Sequence, residues 1–287
     1  MSNMVSRAAA RRWTDLLIES DRRYFAAGAT LHRLPGGHLA VMPGLANIAA
    51  GAVALIDAPA ALLVDPTGWR DAALAVCASE DAIQLRFYTP AADVSLSRAI
   101  SSARFSSAEE IAMVGEAVRL ASGDGGADEG WTLREVTTES LWQVKQRLHD
   151  LTPERPDGKA VDSMSWVRLE RAKVAAGYMS AWIIERDGEA CGTFGLSYAS
   201  GMVRFKNFFV APEHRDRGAA SVALRLIARQ ALSRRIDAVG CFVLPGSRGE
   251  RLYGRAGFMK VGRQMEWIAA VTAGALLERR PDRNAVG

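Results

Sequence analysis

The stretch that decides the fold of this 287-residue chain is V-A-P-E-H-R-D-R-G-A-A-S, residues 210–221. It joins an apolar run, Met202 to Val210, to a segment with apolar residues at helical spacing, 220–235, so we predict a strand, a loop and a helix. Small residues leave the backbone N–H groups of the loop uncovered, and a helix N-terminus carries about half a positive charge. With Arg215 and Arg217 nearby, this turn suits a phosphate or pyrophosphate, and the alternative is an ordinary solvated basic loop.

The elements on either side extend this turn into a domain. Upstream, two apolar runs flank Asp187-Gly188, a strong hairpin signal. Downstream we predict a strand over 238–244, a short helix over 249–255 and a final strand over 258–268. Because antiparallel hairpins are mixed with one crossover, we predict an α/β fold of the α+β kind. Its mixed, mostly antiparallel twisted sheet would carry helices on its faces.

Composition excludes several classes of protein. Hydrophobic residues make up 49% and charged residues 24%, which is typical of a globular chain with one large or two ordinary domains. The net charge of +4 is spread along the chain and gives no sign of a nucleic-acid partner. No signal peptide is visible, and no window approaches the roughly 20 unbroken apolar residues of a membrane span, so we expect a cytoplasmic protein without membrane contact.

The cysteines and histidines show no metal-site spacing. Cys77, Cys191 and Cys241 stand far apart in apolar surroundings, and we expect them to be reduced and buried. The four histidines share no spacing with one another or with the cysteines, so no metal is expected.

A stretch rich in glycine and acidic residues, 121–130, cannot bury apolar surface and reads as a linker. We therefore expect an N-terminal α/β domain over 1–120, the linker over 121–130, a second domain over 131–268 and a C-terminal tail over 269–287.

The loop V-A-P-E-H-R-D-R-G-A-A resembles the acyl-CoA-binding signature of the GCN5-related N-acetyltransferase (GNAT) superfamily. The core of that signature is Arg or Gln, two residues, Gly, one residue, then Gly or Ala, and it falls on Arg215, Gly218 and Ala220. Further on, L-Y-G-R-A-G-F, residues 252–258, resembles the second landmark, an aromatic residue in a short helix that ends in Gly-Phe. Both landmarks stand in the right element order within about 131–268. The resemblance implies the acyl-CoA N-acyltransferase fold.

The resemblance also implies roles for particular residues. Main-chain groups of Phe209 and Val210 would hold the thioester and the pantetheine arm, where their strand splays from its neighbour. The pyrophosphate would lie on the N–H groups of what we call the anion loop, whose residues are Arg215, Asp216, Arg217, Gly218, Ala219, Ala220 and Ser221. Tyr253 matches a tyrosine that protonates the departing thiolate, and the alternative is a packed aromatic residue. Ser247 stands where the family often has a cofactor-contacting asparagine, or it caps the short helix.

One departure from the family pattern concerns the general base. Family members often carry a glutamate on the strand before the signature, but Arg204 stands there, and 202–210 contains no acid. The base would then lie elsewhere, be a water chain, or be unnecessary because the amine arrives neutral. Glu185 is the nearest acidic alternative, unless it is only a solvated carboxylate at a strand end. His214 lies beside the anion loop, in a position more typical of an exposed residue.

The N-terminal half shows a weaker resemblance to the same family. Within 82–105, a strand and a short helix lead to Ala103-Arg104-Phe105, which stands where Gly-Phe would be, and we predict a closing helix over 108–120. This order indicates a degenerate second copy in a tandem arrangement known in the superfamily, which would bind no CoA of its own. The alternative is an unrelated α/β domain. In either case the turns at Pro43-Gly44-Leu45 would help to wall the acceptor pocket.

These features together predict an acetyl-CoA-dependent N-acetyltransferase. Acetyl-CoA would be the co-substrate, and the acyl group would pass by direct attack to the amine of a small molecule, with contacts expected from Arg155, Lys159 and Asp162. No metal or nucleic-acid partner is expected, and the oligomeric state is left open. One alternative is an aminoacyl-tRNA-dependent acyltransferase, which the intact CoA signature disfavours. Another is a CoA-binding sensor or structural partner without turnover, which the missing strand glutamate favours and Tyr253 disfavours.

Overall fold

A computed structural model describes residues 6–122, 129–151, 163–199 and 201–271. In these ranges the helices are α1 (Arg7–Ala26), α2 (Ala60–Val64), α3 (Pro66–Ser79), α4 (Val94–Ser102), α5 (Ala117–Ala121), α6 (Glu139–Asp150), α7 (Ser163–Ala175), α8 (Ala219–Ser233) and α9 (Arg248–Arg255). The strands are β1 (Thr30–Leu34), β2 (Gly37–Val41), β3 (Ala52–Ile56), β4 (Gln84–Pro90), β5 (Ser106–Glu116), β6 (Trp131–Glu135), β7 (Met179–Arg186), β8 (Glu189–Ala199), β9 (Met202–Val210), β10 (Ala238–Val243) and β11 (Met259–Ala270). No helix within those ranges combines the length and the apolar character that crossing a bilayer requires.

The chain divides into two compact units that differ from the halves of the sequence. What we call the C-terminal unit contains α1 and Glu110–Gly262, and the N-terminal unit contains Gly28–Glu109 and the part of β11 from Arg263 onward. The sequence boundary at 121–130 therefore does not separate the units, because composition marks where a chain lacks apolar residues and not which sheet a strand joins. Of that stretch, 123–128 lie outside the described residues, as do 272–287 of the expected tail.

The sheet of the C-terminal unit has the strand order β5-β10-β9-β8-β7-β6. Neighbours are antiparallel except β9 and β10, which run parallel because α8 crosses over between them. One face of α8, including Ala223, Leu224 and Ile227, is buried in a core that also contains Phe194 and Phe205 of the sheet. The predicted mixed, mostly antiparallel sheet is confirmed.

The sheet of the N-terminal unit has the order β1-β2-β3-β4-β11. Its one parallel pair is β3 with β4, between which α2 and α3 cross over, and the other neighbours are antiparallel. Aromatic rings fill its core: Phe87 lies 5.3 Å from Trp69 and 5.1 Å from Phe105, measured between ring centroids. This unit therefore repeats the strand, crossover helix and parallel strand of the C-terminal unit.

Each unit takes one strand from the other half of the sequence. In the C-terminal unit, β10 pairs with β5, from Ala238↔Glu116 to Val243↔Ile111. In the N-terminal unit, β4 pairs with the end of β11. The closing helix expected over 108–120 is therefore wrong, because only its last residues form a helix, α5. The run from Ile111 to Gly115 is buried at every position, and periodicity cannot distinguish such a strand from a buried helix.

In each unit, the strand that follows the crossover, β10 or β4, leads to a short helix and then to the same turn. In the C-terminal unit, α9 is followed by Gly257, which has a φ of 99°, and by buried Phe258. In the N-terminal unit, α4 is followed by Ala103, by Arg104 with a φ of 61°, and by buried Phe105. A left-handed residue before a buried phenylalanine thus recurs in both halves, with arginine where glycine adopts this conformation without strain. This agreement supports the interpretation of the N-terminal half as a degenerate copy.

The three cysteines are free and buried, as expected from the sequence. Burial raises the pKa of each thiol, to about 12 for Cys77 and to about 11 for Cys191. They therefore act as apolar core residues.

Candidate active site

A wedge opens between β9 and β10 in the C-terminal unit. Their parallel pairing ends at Gly240↔Arg204, although β9 continues to Val210 and β10 to Val243. Within the described chain, the last residues of β9 pair with β8 alone. One edge of β9 therefore has main-chain groups that the sheet does not use, and such an edge can bind an extended ligand.

A β-bulge redirects the last part of β9. The register against β8 shifts between Thr193 and Gly195, so that Asn207 and Phe208 together lie opposite Phe194. Asn207 has a φ of 52°, in the left-handed region that few residues other than glycine adopt. Bulges recur beside active sites because they change the direction of the following side chains. Here the redirected side chains are those of Phe208, Phe209 and Val210, at the wedge.

The anion loop leads into the N-terminus of α8. Gly218 is the N-cap residue, with a φ of 88°, and no side chain of the described residues caps the helix. A Cβ atom built on Gly218 would meet nothing within 4 Å, so glycine is needed for its backbone conformation and not for space. The first N–H groups of α8 thus form an anion site of the kind that the sequence predicts.

Arg215 connects the anion loop to the end of β9. Its Nε donates to the main-chain oxygen of Val210 at 2.9 Å, and its guanidinium lies 5.5 Å from the ring centroid of Phe209. Its charge is therefore held near the helix N-terminus, where it adds to the attraction for an anion.

A cavity of about 480 Å³ extends along the wedge and the anion loop. It is lined by Phe208, Phe209, Val210, His214, Arg215, Asp216, Gly218, Ala219, Ala220, Ser221, Arg248, Gly249, Leu252, Tyr253 and Arg255. Its volume lies within the roughly 300–1,000 Å³ of small-molecule sites. The structure thus brings together every residue that the family resemblance assigns to CoA or to the leaving thiolate, except Arg217, which is exposed, and Ser247. Ser247 caps α9 through a hydrogen bond from the Glu250 N–H to its Oγ, 3.2 Å long.

Tyr253 is both a packed residue and a lining residue. Its ring centroid lies 5.2 Å from that of Phe205 and 5.7 Å from that of Phe258. Burial, with a smaller contribution from Cys241, raises the pKa of its phenol, and no hydrogen bond from the described residues contributes to that pKa. The hydroxyl is therefore protonated at neutral pH and available to a ligand in the cavity.

Two lining arginines were not predicted. Arg248 and Arg255 lie on α9 at a spacing that, together with Leu252, places them on one helix face. The Arg248 Nη2 lies 2.5 Å from Oδ1 of Asp216 in the anion loop. This hydrogen bond, followed by the charge of Arg248, lowers the pKa of Asp216. The signal that could have identified both arginines is their helical spacing with Leu252, next to Tyr253.

A buried ion pair occupies the strand position where an acid is missing. Arg204 lies 2.7 Å and Lys206 2.6 Å from Oδ1 of Asp21, which belongs to α1. Burial alone would raise the pKa of Asp21, but the charges of Arg204 and Lys206 lower it to about 2. Asp21 is therefore ionised and neutralised by its partners, and it is a poor general base.

The other candidate bases differ in their surroundings. Glu185 is buried, and its Oε1 lies 3.3 Å from Nε of Arg134, so the solvated carboxylate expected at this strand end is wrong. Glu185 is not among the residues that line the cavity. His214 does line it, is half-buried and lies 3.8 Å from Glu189, so it is not the exposed residue expected from the sequence.

Arg155, Lys159 and Asp162, expected to meet the acceptor, lie outside the described residues. In the part of the chain that the structure covers, no group of three His, Cys, Asp or Glu side chains is placed to hold a metal ion.

Residues 143–258 match the model of the acetyltransferase (GNAT) family. Among solved structures, the chain is similar to a GCN5-related N-acetyltransferase from Kribbella flavida, with 15% identity, a TM-score of 0.59, and coverage of 93% of this chain and 96% of that one. A tandem GNAT protein from the clavulanic acid biosynthesis pathway gives 14% identity, a TM-score of 0.57, and coverage of 90% and 96%.

A functionally unknown conserved protein from Staphylococcus epidermidis gives 14% identity, a TM-score of 0.61, and coverage of 85% and 95%. At these identities the similarities are of fold, and they extend over both halves of the chain. No curated protein matches the chain. The resemblance stated from the sequence is confirmed for residues 143–258, and the degenerate N-terminal copy stays a prediction.

Proposed function

We propose that this chain, of which residues 143–258 match the acetyltransferase (GNAT) family, transfers an acetyl group from acetyl-CoA to the amine of a small molecule. The observation that carries the proposal is the cavity that joins an open edge of β9 to the uncapped N-terminus of α8. One end of this cavity suits amides and the other suits phosphates. CoA contains both, the amides in its pantetheine arm and the phosphates in its nucleotide part.

The binding roles follow from the two ends of the cavity. The N–H groups that begin α8 bind the pyrophosphate, aided by Arg215, Arg248 and Arg255. The edge of β9 that β10 leaves unpaired, at Phe209 and Val210, pairs with the pantetheine amides as an added strand would, except at the Val210 oxygen, which already accepts from Arg215. Arg217 is exposed, and its charge helps to attract the anion from solution.

Tyr253 serves the leaving group. When the amine nitrogen bonds to the acetyl carbon, the C–S bond breaks and the sulfur takes the electron pair. The Tyr253 hydroxyl, buried beside the cavity and protonated, gives its proton to that sulfur and takes one back from the water that receives the amine proton. The amine attacks directly, so no acetyl group is attached to the enzyme.

The amine proton leaves without a strong side-chain base. Asp21 is neutralised by two cations, and Glu185 does not line the cavity. His214 lines the cavity next to the anion loop, at the end that we assign to the pyrophosphate and not to the amine. We therefore propose that the amine arrives neutral and that its proton leaves to water. The rate should then rise with pH until the acceptor amine is fully deprotonated.

The lining chemistry supports a small acceptor over a basic protein tail. Asp216 is the one acid among the lining residues, and Arg248 neutralises it. An ammonium-rich peptide therefore finds no attraction in this part of the described surface. The three free, buried cysteines support a cytoplasmic location.

The test is a screen of small-molecule amines for acetyl-CoA-dependent release of free thiol. Thiol release that depends on an amine supports the proposal. Tight CoA binding without turnover of any amine would favour a sensor instead. Transfer from an aminoacyl-tRNA, with no thiol released from acetyl-CoA, would favour the other acyltransferase class.

A further inference from the structure

A fully buried ion pair lies beside the bulge in β9. Lys145 of α6 and Glu170 of α7 have no exposed surface, and Nζ lies 2.9 Å from Oε2. Burying two charges is costly, and such a pair is often no more stabilising than apolar side chains of the same volume. Stability alone therefore does not explain why these two charges are there.

Each member of the pair contacts one of the two strands at the bulge. Glu170 Oε1 accepts a hydrogen bond from Asn207 Nδ2 at 2.7 Å. Lys145 Nζ donates to Thr193 Oγ1 at 2.5 Å, and that hydroxyl donates to the main-chain oxygen of Trp182 at 2.8 Å. Thr193 marks the register shift on β8, and Asn207 is the left-handed residue on β9. The ion pair thus connects both strands at the point where the register changes.

The restraint acts on a residue in a less common backbone conformation. Asn207 has a φ of 52°, in the left-handed region, which asparagine adopts more readily than other residues with a Cβ atom but less readily than glycine. Burial would raise the pKa of Glu170, but the charge of Lys145, followed by interactions with His149, lowers it to about 2. The carboxylate that accepts from Asn207 is therefore ionised, which makes that hydrogen bond stronger than one between neutral groups.

We infer that Lys145 and Glu170 are positioning residues that hold Asn207 in the bulge and so keep the edge of β9 from Phe208 to Val210 open to the pantetheine arm. Neither residue lines the cavity, so both act through the strand. The inference rests on the proposed function. It predicts that the pair contributes to binding the pantetheine part of CoA and not to binding the nucleotide part at the anion loop.

The experiment removes both charges together. Lys145→Met with Glu170→Leu leaves no unpaired buried charge, so the double variant should remain folded, as its melting temperature will show. Calorimetry then measures the Kd of CoA and of 3′-phosphoadenosine 5′-diphosphate, which lacks the pantetheine arm. We expect the Kd of CoA to rise about tenfold and that of the nucleotide to stay within about twofold.

Two further variants separate positioning from general damage. The matched control is Arg86→Met with Glu266→Leu, which removes a largely buried ion pair of the N-terminal unit and should change neither Kd. Asn207→Gly, added to the double variant, should recover CoA affinity, because glycine adopts a positive φ without a restraint. Asn207→Val, with the ion pair intact, should weaken CoA binding alone, and it tests the inference even if the double variant does not fold.

The results separate a failure of the positioning role from a failure of the proposed function. Unchanged CoA affinity in both the double variant and Asn207→Val would overturn the inference. Equal weakening for CoA and the nucleotide would also overturn it, because that result indicates distortion of the whole site. If the wild-type protein binds no CoA, the proposed function itself fails.

Discussion

Replacing Tyr253 with phenylalanine removes one hydroxyl from the cavity and leaves the ring. The ring keeps its contacts with Phe205 and Phe258, at 5.2 and 5.7 Å between centroids. Among the described residues, none contributes a hydrogen bond to the pKa of this phenol, so the substitution leaves no protein partner without its bond. We therefore expect the free energy of unfolding to change by no more than about 1 kcal/mol, the usual net contribution of one hydrogen bond.

The expected effect on turnover is much larger. A lost general acid usually slows a reaction by about 10²-fold or more. A 10²-fold fall in turnover corresponds to about 2.7 kcal/mol of transition-state stabilisation. The Kd of CoA should change little, because the pyrophosphate and the pantetheine amides are bound by main-chain groups and arginines elsewhere in the cavity.

The assay is thiol release at saturating acetyl-CoA and amine, with the CoA Kd measured by calorimetry. Tyr198→Phe is the matched control, because it removes a phenol from the same unit that does not line the cavity, and turnover should not change. Turnover of Tyr253→Phe within about threefold of wild type would refute the role of the hydroxyl. The thiolate would then take its proton from water or from the substrate amine, and Tyr253 would be a packing residue.

Three further predictions concern the anion loop, the stoichiometry and acid stability. Gly218→Glu should abolish CoA binding with the fold kept, because its carboxylate repels the pyrophosphate. Gly218→Ala is the control, because it adds only about 1–2 kcal/mol of backbone strain. Unchanged CoA affinity in the Glu variant would contradict the assignment of the anion loop. Calorimetry should give one CoA per chain, and two would show a second intact site. The pKa of Asp21 is about 2 in the folded state and 3.8 by its ordinary value, so its stabilisation is full above pH 4 and is lost as the pH falls through 2. Urea unfolding of Asp21→Asn should therefore show a shallower loss of stability between pH 4 and 2 than the wild type, and an equal slope would contradict the assigned pairing.

Local signals were sufficient to predict most of the C-terminal domain. The Asp187-Gly188 pair predicted a hairpin, and both residues adopt the positive φ, 51° and 84°, that the favoured two-residue turn requires. The anion loop was predictable because its glycine, the strand before it and the amphipathic helix after it are all close together in the sequence. Such features depend on a few neighbouring residues, so they can be predicted without the tertiary structure.

Long-range pairing accounts for what sequence reasoning missed. The strand β5 was predicted as a helix because its buried run has no alternation and its partner, β10, is distant in the sequence. Lys145 and Glu170 look like ordinary solvated charges of two helices, and only the tertiary structure shows them buried at the bulge. Nothing local to either residue signals this burial.

The crossover helices α3 and α8 differ in whether their N-termini are free to bind an anion. In the N-terminal unit, α3 begins at Pro66, which has no N–H, and the carboxylate of Asp65 accepts a hydrogen bond from the Gly68 N–H at 2.9 Å. A negative charge therefore already occupies the helix N-terminus where a phosphate would bind, whereas α8 begins uncapped at Gly218. A side-chain cap stabilises a helix by about 1 kcal/mol. The N-terminal unit can thus keep its core and the strand that it takes from β11, and gain stability from the cap, while the first N–H groups of α3 are not free to bind an anion.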